Sequence, residues 1–154
     1  MGSSLVRAFS STLVIAAMAA CGGDAMSPEL QLQGLYILKT VDAQQLPVPL
    51  WTENGQTLWL LSETLGFDGR GGVARTFSWR RDSLDVIGVE AQTPSLPFQY
   101  RVRGNGVALG SFAPCPPNAL CIAPDVGVFR HDSLSLESKF FSGRRLSYLR
   151  GAEL

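Results

Sequence analysis

The segment FQYRVRGNGVALGSF, residues 98–112, constrains the fold more than any other stretch of the chain. Phe98, Tyr100 and Val102 alternate with Gln99, Arg101 and Arg103. A period of two puts the apolar set on one face of an extended strand and the polar set on the other. Asn105 and Gly106 then supply the strongest short hairpin signal, and VALGSF runs back. The same plan recurs along the chain. GLYILKTV, residues 34–41, is rich in apolar and β-branched residues and stops at DAQQLP. QTLWLLSETLGFD runs into GRGG, and VARTFSWR follows, a hairpin that sets Val73, Phe77 and Trp79 on one face and Ala74, Thr76 and Ser78 on the other. VGVFR, SLSLES and RRLSYLR come next, parted by turns around His131 and Asp132 and at Ser142 and Gly143. Beyond the first twenty residues, no segment sustains a helical apolar period over about 11 or more residues.

Seven or eight short strands joined by hairpin turns predict an all-β domain, a single up-and-down antiparallel β-barrel or strongly curved sheet. Closure is favoured because it leaves no unpaired edge. At about eight strands the interior is either filled by side chains or holds one small ligand.

The N-terminus carries a different kind of signal. Arg7 precedes an unbroken apolar run over residues 13–20, flanked by Ser10, Ser11 and Thr12 on one side and Gly22, Gly23 and Asp24 on the other. The run falls short of the ~20 residues a membrane-spanning helix needs. Its layout is that of a secretory signal. MAAC, residues 18–21, resembles the lipobox of bacterial lipoproteins, with Met18 where Leu is usual. The resemblance implies that residues 1–20 are removed and that Cys21 receives diacylglycerol and is then N-acylated, becoming the membrane anchor. Two chains hold where one is marginal. Gly22, rather than Asp, after the lipidated Cys resembles the outer-membrane sorting pattern, for a source with two membranes. The expected organisation is a leader over 1–20, a lipidated Cys and tether over 21–33, and the barrel over 34–154, exported and held at the cell envelope. With Cys21 taken, Cys115 and Cys121 remain, separated by PPNAL, and in an oxidising compartment they are expected to close a disulfide. Chain entropy gives such a small loop roughly 2–2.5 kcal/mol. Two thiols and the single His131 fall short of a four-ligand metal site, and five intervening residues are too many for a thioredoxin-type redox pair.

The order of motifs is similar to that of small bacterial lipoproteins with a lipocalin-like domain: GLY at 34–36, VDAQQLP at 41–47, GFDGRG at 66–71, YRVRGNGVAL at 100–109 and YLR at 148–150. Tyr36 stands where lipocalins carry Trp. The resemblance implies a barrel that binds a small apolar molecule, although fold alone does not fix function.

Alternation carries Arg75 onto the face of Val73, Phe77 and Trp79. An interior arginine needs carboxylates or several acceptors. Two readings follow: Arg75 fixes the head of an anionic or amphipathic ligand, or it pairs with Glu63 or reaches the barrel mouth over its apolar stem. Arg75, Phe77, Trp79 and Tyr100 are therefore the candidate ligand-binding residues. Residues 82–97 are long for a hairpin connection, either a lid or a short extra strand. Trp51 and Trp59 read as packing residues with nothing basic beside them. His131, Asp132 and Ser133 are neighbours in a turn rather than a spatial triad. No GxSxG, Walker-type loop, HExxH or acidic calcium loop is present, so neither an enzyme nor a metal or other cofactor is expected. Thirteen Lys plus Arg balance 13 Asp plus Glu, against the basic surplus of a nucleic-acid binder. The expected function is a membrane-anchored barrel for a small apolar or amphipathic ligand. The alternative is a non-enzymatic structural or protein-interaction module of the envelope with a filled core.

Overall fold

The computed structural model describes residues 32–84 and 86–151. The expected leader, Cys21 and the expected tether up to residue 31 lie outside the described residues. Eleven strands follow in order: β1 Gln33–Val41, β2 Gln44–Gln45, β3 Val48–Glu53, β4 Gln56–Asp68, β5 Gly72–Ser83, β6 Glu90–Gln92, β7 Leu96–Arg103, β8 Gly106–Gly110, β9 Asp125–Arg130, β10 Ser133–Ser138 and β11 Arg144–Arg150. Eight of them close on themselves, β1 pairing with both β4 and β11, through β5, β7, β8, β9 and β10, each pair antiparallel. The all-β barrel expected from the alternation is thus present. β2, β3 and β6 lie outside the circuit.

The inward rows follow the pleat. Phe98, Tyr100 and Val102 point in while Gln99, Arg101 and Arg103 are exposed, and Val107 and Leu109 face them from β8. Two bulges in the barrel strands adjust the alternation. The register slips between Leu38 and Thr40 in β1 and between Leu60 and Ser62 in β4. An extra residue resets the pleat, so Leu38 and Val41, and likewise Leu60 and Glu63, all reach the interior. The β7–β8 turn sits one residue earlier than the Asn105–Gly106 expectation. Arg103 pairs with Gly106, leaving Gly104 and Asn105 as the two-residue loop. Gly104 takes φ 57°, and a glycine at the first loop position adopts positive φ without a Cβ penalty.

β4 and β5 are the longest strands, with 13 and 12 residues. Their shared hairpin end, near Phe67 and Val73, belongs to the barrel. Their other halves leave it, β4 pairing with β3 and β5 with β6, to form a projecting flap. The segment over 82–97 therefore contributes the short strand β6, while Leu84, Val86, Ile87 and Val89 stay exposed. Trp51 on the flap is 39% exposed, and the Arg81 guanidinium lies 5.7 Å from its ring centroid. This corrects the expectation that nothing basic accompanies it.

The two barrel ends are built differently. At one end, where both described termini lie, Tyr36, Phe67 and Tyr100 stack edge to face, with centroids 5.4 and 5.0 Å apart. The Tyr100 hydroxyl donates to the Leu32 carbonyl at 2.8 Å. Leu32 is itself buried, so the core begins just before β1. Short turns at residues 69–71, 104–105 and 131–132 close this end. The opposite end receives the long 111–124 connection and the 139–143 turn.

Candidate functional site

Four polar side chains interrupt the inward apolar rows near the long-loop end: Glu63, Arg75, Asp125 and Ser138, each at most 3% exposed. They come from four strands, β4, β5, β9 and β10, and converge on the guanidinium. Arg75 Nε donates to Glu63 Oε1 at 2.7 Å, Nη1 to Asp125 Oδ2 at 2.8 Å and Nη2 to Ser138 Oγ at 3.4 Å. Ser138 Oγ donates to Asp125 Oδ2 at 2.8 Å, and the Tyr148 hydroxyl from β11 donates to Glu63 Oε1 at 2.8 Å. Phe140 and Phe141 carry their rings against the cation at 4.9 and 5.1 Å. The same carboxylate organises the neighbouring turn: Asp125 Oδ1 accepts the Lys139 and Phe140 amides at 2.5 and 3.2 Å, and Ser138 Oγ accepts the Phe141 amide at 3.2 Å.

The electrostatics follow from burial. Desolvation opposes the charge on Arg75, but Glu63 and Asp125 outweigh it and hold the guanidinium ionised. Desolvation raises the Glu63 carboxyl above its ordinary value, against the pull of Arg75 and the hydrogen bond from Tyr148. Its Oε2 is buried with no hydrogen-bond partner among the described residues. Burial raises Tyr148 well above its ordinary value, so this tyrosine acts as a neutral donor. Removing the cation from such a cluster would strand two buried carboxylates, which is far more costly than losing one surface pair.

Beside this cluster lies a cleft of about 330 Å³, open to solvent. Arg75 and Asp125 form part of its lining, and Phe98, Leu109, Ile122 and Phe140 supply apolar wall. The outer lip belongs to the 111–124 connection, where Cys115 and Cys121 are bonded with Sγ atoms 2.10 Å apart. The expected disulfide is therefore present, and it closes a small loop at the mouth of the cleft. A second cleft of about 320 Å³ lies towards the flap, lined by Leu50, Trp51, Leu58, Phe77, Phe140 and Phe141 among others.

The four candidate binding residues are dispersed. Arg75 lies in the ionic cluster at the first cleft, and its pairing with Glu63 matches one of the two readings of the sequence. Phe77 lines the second cleft and packs its ring against Phe140 and Phe141 at 5.7 and 5.9 Å. Trp79 is half-buried opposite Leu60, towards the flap. Tyr100 belongs to the aromatic layer at the other end and lines neither cleft. Asp125, Ser138, Tyr148 and Phe140 were not among the candidates. A signal for one of them existed: Ser138 continues the inward row of Leu134 and Leu136. His131, Asp132 and Ser133 are exposed in a turn. Among the described residues no three His, Cys, Asp or Glu side chains are placed to hold a metal ion. No protein-family model, no curated protein and no solved structure matches this chain.

Proposed function

We propose that this chain is an exported, lipid-anchored protein with a lipocalin-like barrel that binds a small apolar or amphipathic ligand at its long-loop end. The observation that carries the reading is the cleft of about 330 Å³, with apolar walls beside a few converging polar groups. Small-molecule sites have this composition and start at about 300 Å³. The leader pattern and Cys21 support the address, and the anchor makes the membrane the first partner. The role needs no cofactor and no catalytic group.

Native mass spectrometry of the chain purified from its own cells without denaturation tests the reading. The expected result is a stoichiometric small molecule that departs on denaturation. A mass free of any small molecule, together with a stoichiometric protein partner, would instead carry the interaction-module reading. One observation favours that second reading: Leu84, Val86, Ile87 and Val89 are each at least 65% exposed on the flap, an apolar surface suited to a protein partner.

A further inference from the structure

The two clefts share one wall. Phe140 lines both, in company with Leu109 and Phe98 in the first and with Phe77, Leu58 and Trp51 in the second. Its backbone amide is held by Asp125 Oδ1 at 3.2 Å, whereas its side chain is only half-buried and sits in a turn rather than a strand. The ring itself meets the Arg75 guanidinium at 4.9 Å and the Phe77 and Phe141 rings at 5.7 and 5.0 Å. Each cleft alone, at about 330 and 320 Å³, lies at the lower limit for a small-molecule site, and the pair joined would fall well inside the ~300–1,000 Å³ range.

Charge narrows the occupant. Each charged side chain in the two linings already has an opposite partner: Arg75 with Asp125 at 2.8 Å in the first, and Arg144 with Asp42 at 2.7 Å in the second. An ionised head would have to compete with a carboxylate or guanidinium already in place. Ser111 and Ser142 belong to the two linings, and a serine there suits an uncharged polar head.

We infer that the two clefts form one elongated site divided by the Phe140 ring, and that its ligand is an uncharged single-chain aliphatic molecule running past that ring. This rests on the proposed ligand-binding function and specifies its ligand class. The test uses the full chain, loaded with the neutral fluorophore N-phenyl-1-naphthylamine and displaced by straight-chain 1-alkanols from hexan-1-ol to dodecan-1-ol. Affinity is expected to keep rising along the whole series, by up to about fourfold per methylene while each new methylene is buried. Dodecanoate at neutral pH is expected to bind at least tenfold more weakly than dodecan-1-ol. Phe140→Trp, which thickens the partition and keeps its aromatic character, is expected to weaken dodecan-1-ol at least tenfold more than hexan-1-ol. A rise that levels off before decan-1-ol, or a Trp variant with an unchanged length profile, would overturn the two-chambered site and leave the ligand-binding reading standing. Dodecanoate binding as tightly as dodecan-1-ol would overturn the uncharged class. No binding of the fluorophore or of any alkanol would overturn both readings.

Discussion

The two ends of this barrel use aromatic rings for opposite purposes. At the terminal end, Tyr36, Phe67 and Tyr100 are buried and stack on one another. The turns there are too short to hold anything open. At the other end, Phe77, Phe140 and Phe141 also meet edge to face, but two of the three are only half-buried. They lie between an ionic cluster and two solvent-open clefts. The difference lies in what the neighbouring chain supplies. Tight turns allow rings to pack to interior density, whereas long connections and a projecting flap leave room that rings only border. Binding residues belong on such loops, set on a rigid scaffold.

The comparison breaks first at Arg75. Arg75→Met should cost about 3–5 kcal/mol, because it leaves Glu63 and Asp125 buried without their cation; urea unfolding measures this. A cost below about 1 kcal/mol would mean that the cluster is not a structural centre of its end. Adding Glu63→Gln and Asp125→Asn to the same chain should recover part of the loss, since the stranded charges are then gone.

Phenylalanine truncation compares the ends directly. Phe67→Ala, in the sealed layer, should cost about 3–5 kcal/mol. Phe140→Ala, at the open end, should cost less than half as much, because that residue is only half-buried. Equal losses in matched thermal or urea melts would show that the long-loop end is packed as tightly as the other.

The smallest effect is one of pH. Glu63 is raised above its ordinary value near 4.5, chiefly by desolvation, so the folded chain binds that proton more tightly than the unfolded chain. The stability it contributes is full below the ordinary value and is lost as pH rises through the raised native value. Asp42, held low chiefly by its hydrogen bond from Arg144, acts in the opposite sense and below the ordinary aspartate range. In the sealed layer burial raises the hydroxyls of Tyr36 and Tyr100, which keeps both neutral there. Glu63→Gln should therefore flatten the decline of Tm above about pH 4.5 relative to the native chain. An unchanged slope would mean that another group sets it.

Much of the barrel was legible in residue order. The alternation in FQYRVRG and VARTFSWR fixed which side chains face in, because each strand residue points opposite to the one before it. Arg75 stood out for that reason, as a charge in an apolar row. Its partners Asp125 and Ser138 did not, since 50 and 63 residues separate them from Arg75, and only closure of the sheet brings those strand ends together. The bulges at Leu38 and Leu60 were hidden in the same way. They reset the pleat by one residue, which the apolar pattern alone does not distinguish from a change of face.

The sequence by itself therefore determined the local quantities: strand faces, the existence of turns, the chemistry of the cysteine pair, and the address-like pattern ahead of Cys21. The tertiary structure decided the rest. It chose which end is sealed and which open, turned a lone interior arginine into a satisfied cluster, and set Phe140 in the lining of two clefts. Periodicity acts over neighbouring residues, whereas burial, charge pairing and empty space depend on which distant strands close the barrel and on how much chain is left over at each rim.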